Sequence, residues 1–102
     1  MKYFMIKYTR HNATEADWHK DIAAFIANLD NDPVLHGKIS YRCMKRRDGA
    51  DYFHLAATLD DAAGKALQER AFFPRYTART KEVGGTVDVF PLDIIAETKF
   101  RA

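Results

Sequence analysis

Residues 39–58, ISYRCMKRRDGADYFHLAAT, carry the pattern on which the predicted fold depends most. In both halves apolar residues recur at every second position, which is typical of strands that turn one face to a core. The middle of the stretch contains an Asp-Gly pair, and we expect Gly49 to supply the positive φ that tight hairpin loops need. Residues 38–45 and 51–59 are therefore predicted to form two antiparallel strands of one hairpin.

The segment before the hairpin predicts a strand followed by a helix. Residues 2–9 alternate with period two, as a strand does. Thr14 then stands where a helix N-cap is expected, with the acidic Asp17 three residues later to complement the helix dipole. Apolar residues from Trp18 onward follow at helical spacing, so a helix is predicted over residues 15–30.

The segment after the hairpin predicts helical structure and a last strand. Asp60 or Asp61 is expected to cap the second helix. We expect Pro74 to interrupt this helix, because a proline ring clashes with the carbonyl four residues earlier. A further helical piece runs to Gly84, and residues 86–92 form the last strand.

These elements give the order βαββαβ in an α+β domain that spans residues 1–102. This order places two helices on one face of a four-stranded antiparallel sheet with strand order 4-1-3-2. The helices should cover the more apolar face. Its residues are predicted to be Phe4, Ile6, Tyr8, Ile39, Tyr41, Cys43, Phe53, Leu55, Ala57, Val87 and Val89.

The opposite face of the sheet is predicted to be mixed in character. Its residues are expected to be Tyr3, Met5, Lys7, Ser40, Arg42, Met44, Tyr52, His54, Ala56, Asp88 and Phe90. So many aromatic and methionine side chains in one patch indicate a partner surface, and a homodimer needs only one self-complementary patch. We therefore predict a dimer interface that includes Lys7, Arg42, His54, Asp88 and Phe90.

Composition excludes several classes of protein. The chain of 102 residues carries 16 basic and 14 acidic residues, and this net charge of +2 does not indicate a nucleic-acid partner. No apolar run approaches a membrane span. A single cysteine, Cys43, and a start without the apolar core of a signal peptide favour a cytoplasmic protein. The spacing of His11, His19 and His36 suggests no shared metal, so no metal site is expected.

Four features together resemble a known superfamily. They are the βαββαβ order, the hairpin at 39–58, the aromatic helical segment RAFFPRYTARTKE at 70–82 and the ending VDVFPLDIIAE at 87–97. The chain is similar in these to the dimeric α/β-barrel superfamily, and most to its small antibiotic-biosynthesis-monooxygenase-type proteins. The resemblance implies that two ferredoxin-like protomers pair their sheets into a barrel.

The resemblance also implies an activity, the cofactor-independent oxygenation of a small quinol-like aromatic. The heme-degrading branch of the superfamily is not matched, because the second helix here carries neither Trp nor His. The aromatic residues expected to converge between helices and sheet form either a core or the lining of a substrate pocket. They are Tyr8, Trp18, Tyr41, Phe72, Phe73 and Tyr76.

His54 is the candidate catalytic residue, as a neutral general base. The alternative, which we favour from the sequence, is that His54 forms a hydrogen bond across the dimer interface. Two further functions stay open. One is a non-catalytic homodimer that binds a small ligand or serves as a scaffold. The other is an RNA-binding module with Tyr3 and Tyr52 as stacking residues, although the third strand lacks the pattern of that motif.

Overall fold

Seven helices and strands follow one another in the computed structural model, which describes residues 1–99. They are β1 Lys2–Thr9, α1 Glu15–Asn31, β2 Ile39–Lys45, β3 Asp51–Thr58, α2 Asp61–Gln68, α3 Phe72–Gly84 and β4 Asp88–Leu92. The predicted succession is confirmed, with the second helix divided in two. The last three residues of the predicted domain lie outside the described residues.

The four strands form one antiparallel sheet in the order β2-β3-β1-β4. This is the predicted order 4-1-3-2 read from the other edge. Pro91 lies in β4, which is an edge strand, and pairs with Phe4 of β1. An edge strand tolerates proline because its outer side needs no hydrogen-bond donor.

Helix α1 starts and packs as its sequence predicts. The Thr14 hydroxyl accepts a hydrogen bond from the backbone N–H of Asp17 at 3.2 Å, which satisfies one of the free donors at the helix start. One stripe of the helix is buried, formed by Trp18, Ile22, Phe25 and Leu29. This stripe holds α1 against the sheet.

The break between α2 and α3 lies before Pro74, so the prediction that Pro74 interrupts a helix is wrong. Helix α2 ends at Gln68, and Pro74 occupies the first turn of α3, which begins at Phe72. The first four N–H groups of a helix have no partner within it, so a proline there costs no hydrogen bond. Pro74 therefore helps to start a helix.

The end of α3 passes close over β1. A Cβ built on Gly84 would lie 2.9 Å from the Cβ of Tyr8, a distance that real Cβ atoms do not adopt. Gly85 follows with a φ of 71°, a conformation that glycine adopts without strain. These two glycines let α3 end in contact with β1.

The side assigned to the third strand is the main error of the sequence analysis. Cys43 pairs with His54, and His54 pairs with Ile6, so His54 shares the helix-covered face with those two residues. Tyr52 and Ala56 lie on the same face, whereas Phe53 and Leu55 lie on the opposite one. His54 is fully buried inside the protomer and so does not belong to an interface on the other face.

The hairpin loop explains this reversal. Lys45 pairs with Tyr52, and the backbone N–H of Arg46 donates to the carbonyl of Asp51 at 2.9 Å. Odd-numbered residues of β2 thus face the same side as even-numbered residues of β3. The expected positive φ at Gly49 is also wrong, since among the described residues only Gly37 and Gly85 adopt it. The longer loop closes without such a turn.

The outer face of the sheet has no helix over it in the described part of the chain. Lys7, Arg42, Asp88 and Phe90 lie there, as predicted, and Phe90 is 38% exposed. Tyr52 is absent from this face, being 2% exposed beneath the helices. One of the two stacking residues of the RNA-binding alternative is therefore inaccessible. Within residues 1–99, no helix has both the length and the apolar character needed to cross a membrane.

Candidate functional site

His54 lies at the centre of a buried hydrogen-bond network between the sheet and the helices. Its Nε2 is 2.7 Å from the hydroxyl of Tyr8 in β1, and its Nδ1 is 2.9 Å from the hydroxyl of Tyr41 in β2. The hydroxyl of Tyr76 in α3 lies 3.3 Å from the same Nδ1. Three elements besides β3 thus fix the imidazole ring.

Trp18 extends this network into α1. The indole N–H donates to the Tyr8 hydroxyl at 2.8 Å, and the residue is 0% exposed. Its ring stacks on Tyr76 with centroids 5.9 Å apart. The indole is therefore held from two sides, and its single donor has one defined target.

Burial keeps every member of the network uncharged at neutral pH. Removal from water disfavours the charged form of an ionisable group, and it lowers the pKa of His54 to about 4. Burial likewise raises the pKa of Tyr8, Tyr41 and Tyr76 well above the ordinary value. The site therefore offers neutral imidazole and phenol groups.

A cavity of about 500 Å³ lies between the sheet and the helices α2 and α3. Most of its wall is apolar, including Phe4, Ile6, Ile39, Phe73, Val87 and Val89. Tyr41 also lines this cavity. Of the residues that make up the network, Tyr41 is therefore the one that a molecule in the cavity can contact.

Charged residues also line the cavity. Lys2 and Asp61 form an ion pair with an N···O distance of 2.7 Å, and Asp60 accepts a hydrogen bond from the N–H of Ala63 as the cap of α2. Lys65 and Lys81 belong to the same lining and form no ion pair among the described residues. With three lysines and two aspartates, the lining has a net positive charge.

Four of the six predicted substrate-binding aromatics surround Phe25, and Trp18 and Tyr8 join them through the stacking of Trp18 on Tyr76. Phe25 stacks on Tyr76 with centroids 3.8 Å apart, and its centroid lies 5.0 Å from Tyr41 and 5.9 Å from Phe72. The aromatic residues predicted from the sequence divide into two groups here. Tyr41 and Phe73 line the cavity, whereas Tyr8, Trp18 and Tyr76 are buried core residues and Phe72 packs against that core.

The part of the cavity that α2 supplies was not predicted from the sequence. Gly64, Lys65 and Gln68 line it, and Ala56 forms part of its floor. The sequence does indicate that this helix faces the sheet, because Ala63 and Leu67 are its apolar residues and pack into the core. Gly64 lies beside Ala63 in the same helix. What the sequence does not give is the gap that remains between α2 and the sheet.

A more open groove of about 770 Å³ lies at the end of the sheet where the hairpin loop emerges. Its polar residues include Arg46 and Asp51, which form an ion pair with each other at 3.5 Å. Tyr8 lines this groove, but its hydroxyl is already engaged by Trp18 and His54. Neither His54 nor Tyr41 lines the groove. We therefore place the candidate site in the cavity beside Tyr41. Among residues 1–99, no group of three His, Cys, Asp or Glu side chains is arranged to hold a metal ion.

Comparisons with known proteins identify the fold. No family model matches the sequence, and no curated protein matches it. Among solved structures, SnoaB, a cofactor-independent oxygenase from Streptomyces nogalater, superposes with a TM-score of 0.77 at 17% identity, over 97% of each chain. The chain has the fold of SnoaB.

Two further structures share this fold. One is a Caulobacter crescentus protein named provisionally as an antibiotic biosynthesis monooxygenase, with a TM-score of 0.73 at 16% identity over 93% of this chain and 90% of that one. The other is a dimeric ferredoxin-like protein of unknown function from Jannaschia, with a TM-score of 0.67 at 15% identity over 92% and 100%. The expected resemblance to monooxygenases of this type is confirmed for the fold.

Proposed function

We propose that this protein is a cofactor-independent monooxygenase that oxidises a small quinol-like aromatic in the cavity beside Tyr41. The observation that carries this proposal is the neutral His54–Tyr41 pair at the wall of a mostly apolar cavity. The fold shared with SnoaB gives independent support. The cavity volume of about 500 Å³ is in the range of small-molecule sites.

The chemistry asks little of the protein beyond binding. A quinol, reacting as its anion, gives four electrons to dioxygen: the quinol becomes a quinone, one ring C–H becomes C–OH, and the second oxygen atom leaves as water with the two hydrogens of the quinol hydroxyls. The apolar wall holds the aromatic ring and excludes water. Tyr41, backed by His54, fixes the substrate oxygen by a hydrogen bond that gains strength in such surroundings.

A non-catalytic ligand-binding protein is the second candidate. The Jannaschia protein has the same fold and no known function, so the fold does not by itself require a reaction. This candidate uses the same cavity and predicts the same binding. It differs in one outcome, because a bound aromatic would remain unchanged in the presence of oxygen.

We also propose that the outer face of the sheet forms a homodimer through Lys7, Arg42, Asp88 and Phe90. The exposed apolar side chains of this face, with Met44 at 41% and Phe90 at 38%, support a covered surface. The Jannaschia protein, which shares the fold, is dimeric, and this supports a dimer of the present chain. Sedimentation should show a dimer at micromolar concentration, and charge reversal of Asp88 should weaken it. A monomer at that concentration would contradict the proposal.

The proposed reaction is tested by oxygen uptake with a panel of quinols and by blocking the cavity. Ala56→Phe places a ring on the cavity floor, so we expect it to abolish substrate-dependent oxygen uptake. Ala62→Phe adds the same ring at an exposed position of α2 outside the cavity, and it should keep full activity. Ala56→Leu offers a smaller block if the larger side chain impairs folding.

Three results are informative in this experiment. Uptake that Ala56→Phe removes and Ala62→Phe retains supports the proposal. Binding without oxygen uptake by any quinol favours the ligand-binding alternative. Uptake that persists in a folded Ala56→Phe variant would contradict the placement of the reaction in this cavity.

A further inference from the structure

Trp18 can only donate a hydrogen bond to the buried network. The indole N–H of Trp18 is a donor and has no acceptor atom, so the Tyr8 oxygen must accept its hydrogen bond. The hydroxyl of Tyr8 has its own hydrogen, which then needs another acceptor. In the part of the chain that the structure describes, the other polar atom in contact with this oxygen is Nε2 of His54, at 2.7 Å.

The alternative arrangement leaves a donor unpaired. If Nε2 carried the proton, the N–H groups of Trp18 and His54 would both point at the Tyr8 oxygen. The hydroxyl hydrogen of Tyr8 would then be buried without an acceptor among its described contacts. Proteins avoid such unpaired buried donors, so Nε2 is the acceptor and Nδ1 carries the proton.

The proton on Nδ1 sets the direction of the remaining bonds. Nδ1–H donates to the Tyr41 hydroxyl oxygen at 2.9 Å. The hydrogen of Tyr41 must therefore point away from His54. Its other contact is the Tyr76 oxygen at 3.4 Å, which is near the limit of a hydrogen bond, so an oxygen atom in the cavity would compete well for it.

We infer that Trp18 acts as a positioning residue that orients the network through Tyr8 and His54, so that Tyr41 donates a hydrogen bond to the cavity ligand. The ligand is accordingly held through an acceptor oxygen, as in a phenolate or a carbonyl. His54 then acts as a donor behind Tyr41 and does not remove a proton from the substrate. The ligand preference rests on the proposed function, whereas the proton position on His54 does not.

The charges around the cavity agree with an anionic ligand. Within residues 1–99, Lys65 and Lys81 have no carboxylate partner, Lys2 is paired with Asp61, and Asp60 is engaged in capping α2. A phenolate held by Tyr41 would thus lie in a cavity with surplus positive charge. The same surroundings would disfavour a bound ammonium ion.

The position of the proton is tested directly by nitrogen NMR of the His54 ring in uniformly labelled protein. We expect Nδ1 to show the signature of a protonated ring nitrogen and Nε2 that of an unprotonated one. Trp18→Phe should release the Tyr8 oxygen and allow both tautomers. Tyr8→Phe removes the hydroxyl that fixes Nε2 as an acceptor, at the loss of one oxygen atom. It replaces Trp18→Phe in the experiment if that variant does not fold.

Tyr52→Phe is the matched control for these variants. Tyr52 stacks on Tyr8 with centroids 5.2 Å apart, and its hydroxyl pairs with His19 at 2.8 Å, outside the network. Its spectrum should retain the wild-type tautomer of His54. A proton on Nε2 in the wild-type protein would overturn the inference, as would an unchanged tautomer in both Trp18→Phe and Tyr8→Phe.

The ligand preference is tested with para-nitrophenol, whose phenolate absorbs visible light. We expect the wild-type protein to lower the pKa of the bound probe by about one unit, a tenfold rise in the phenolate-to-phenol ratio. Tyr41→Phe should abolish this shift, and Tyr52→Phe should keep it. Preferential binding of the neutral phenol by the wild-type protein would refute the donor role of Tyr41. A protein that passes both tests but consumes no oxygen would refute the proposed reaction alone.

Discussion

The free energy of unfolding should fall by about 3 kcal/mol as the pH is lowered from 6.5 to 4, through His54 alone. Burial lowers the pKa of His54 from 6.5 to about 4 in the folded protein. Above pH 6.5 the imidazole is neutral in both states and the pH has no effect through it. Between these values the unfolded chain binds a proton that the folded protein does not, so unfolding becomes easier. Below pH 4 both states are protonated and the loss is complete.

This pH dependence is measured by urea unfolding at several pH values. His54→Gln should remove about 3 kcal/mol of the difference between neutral pH and pH 4, whatever its stability at neutral pH. His36→Gln, at an exposed position, controls for the loss of a histidine as such. If wild type and His54→Gln lose stability in parallel over this range, His54 takes up its proton in the folded state and the buried network opens at low pH.

The succession of strands and helices could be predicted because each depends on local patterns. The cap at Thr14, the stripe from Trp18 and the alternation in β1 and β2 each depend on neighbours within a few residues. The strand order follows from these elements and the rules for connecting them. Local chemistry therefore accounts for most of the fold.

The side on which His54 lies could not be predicted in the same way. Strand β3 carries apolar or aromatic residues at both alternating sets, with Tyr52 and Ala56 on one face and Phe53 and Leu55 on the other. Its own pattern thus does not fix the buried face. The loop at 46–50 fixes it, and the hairpin closes between Lys45 and Tyr52 without the tight turn that Asp-Gly suggests.

The types of residue that form the candidate site could be predicted from the sequence. Their arrangement in space could not. The aromatic residues were grouped correctly, because Tyr8 and Tyr41 of the sheet face the helices that carry the others, but His54 was placed on the opposite face of the sheet. The predicted register of β3 was off by one residue, and it therefore placed His54 on the face opposite Tyr8 and Tyr41. The cavity itself depends on how far α2 stands from the sheet, and no pattern in the sequence encodes that distance.

Replacing Tyr41 with Phe should lower oxygen-dependent turnover of a quinol by about 10²- to 10³-fold while the fold remains intact. A hydrogen-bond donor aimed at developing negative charge in a water-poor site contributes about this much to a rate. Phe retains the ring that packs at 5.0 Å from Phe25, and Nδ1 of His54 keeps the Tyr76 hydroxyl at 3.3 Å as a partner. We therefore expect a loss of stability of only about 1 kcal/mol.

Steady-state kinetics of Tyr41→Phe and Tyr52→Phe distinguish a role in the reaction from a role in packing. Both variants remove one phenol oxygen from a ring that packs edge-on against His54, but the cavity touches Tyr41 and not Tyr52. Tyr52→Phe should therefore keep wild-type turnover.

The fall in turnover of Tyr41→Phe should appear in kcat as well as kcat/KM, because the donor acts on charge that grows as the substrate anion reacts with oxygen. If only KM rises, Tyr41 binds the ground state and transition state equally and serves as a binding contact. If turnover does not change at all, the substrate oxygen is held elsewhere, and Lys65 and Lys81 become the groups to replace next.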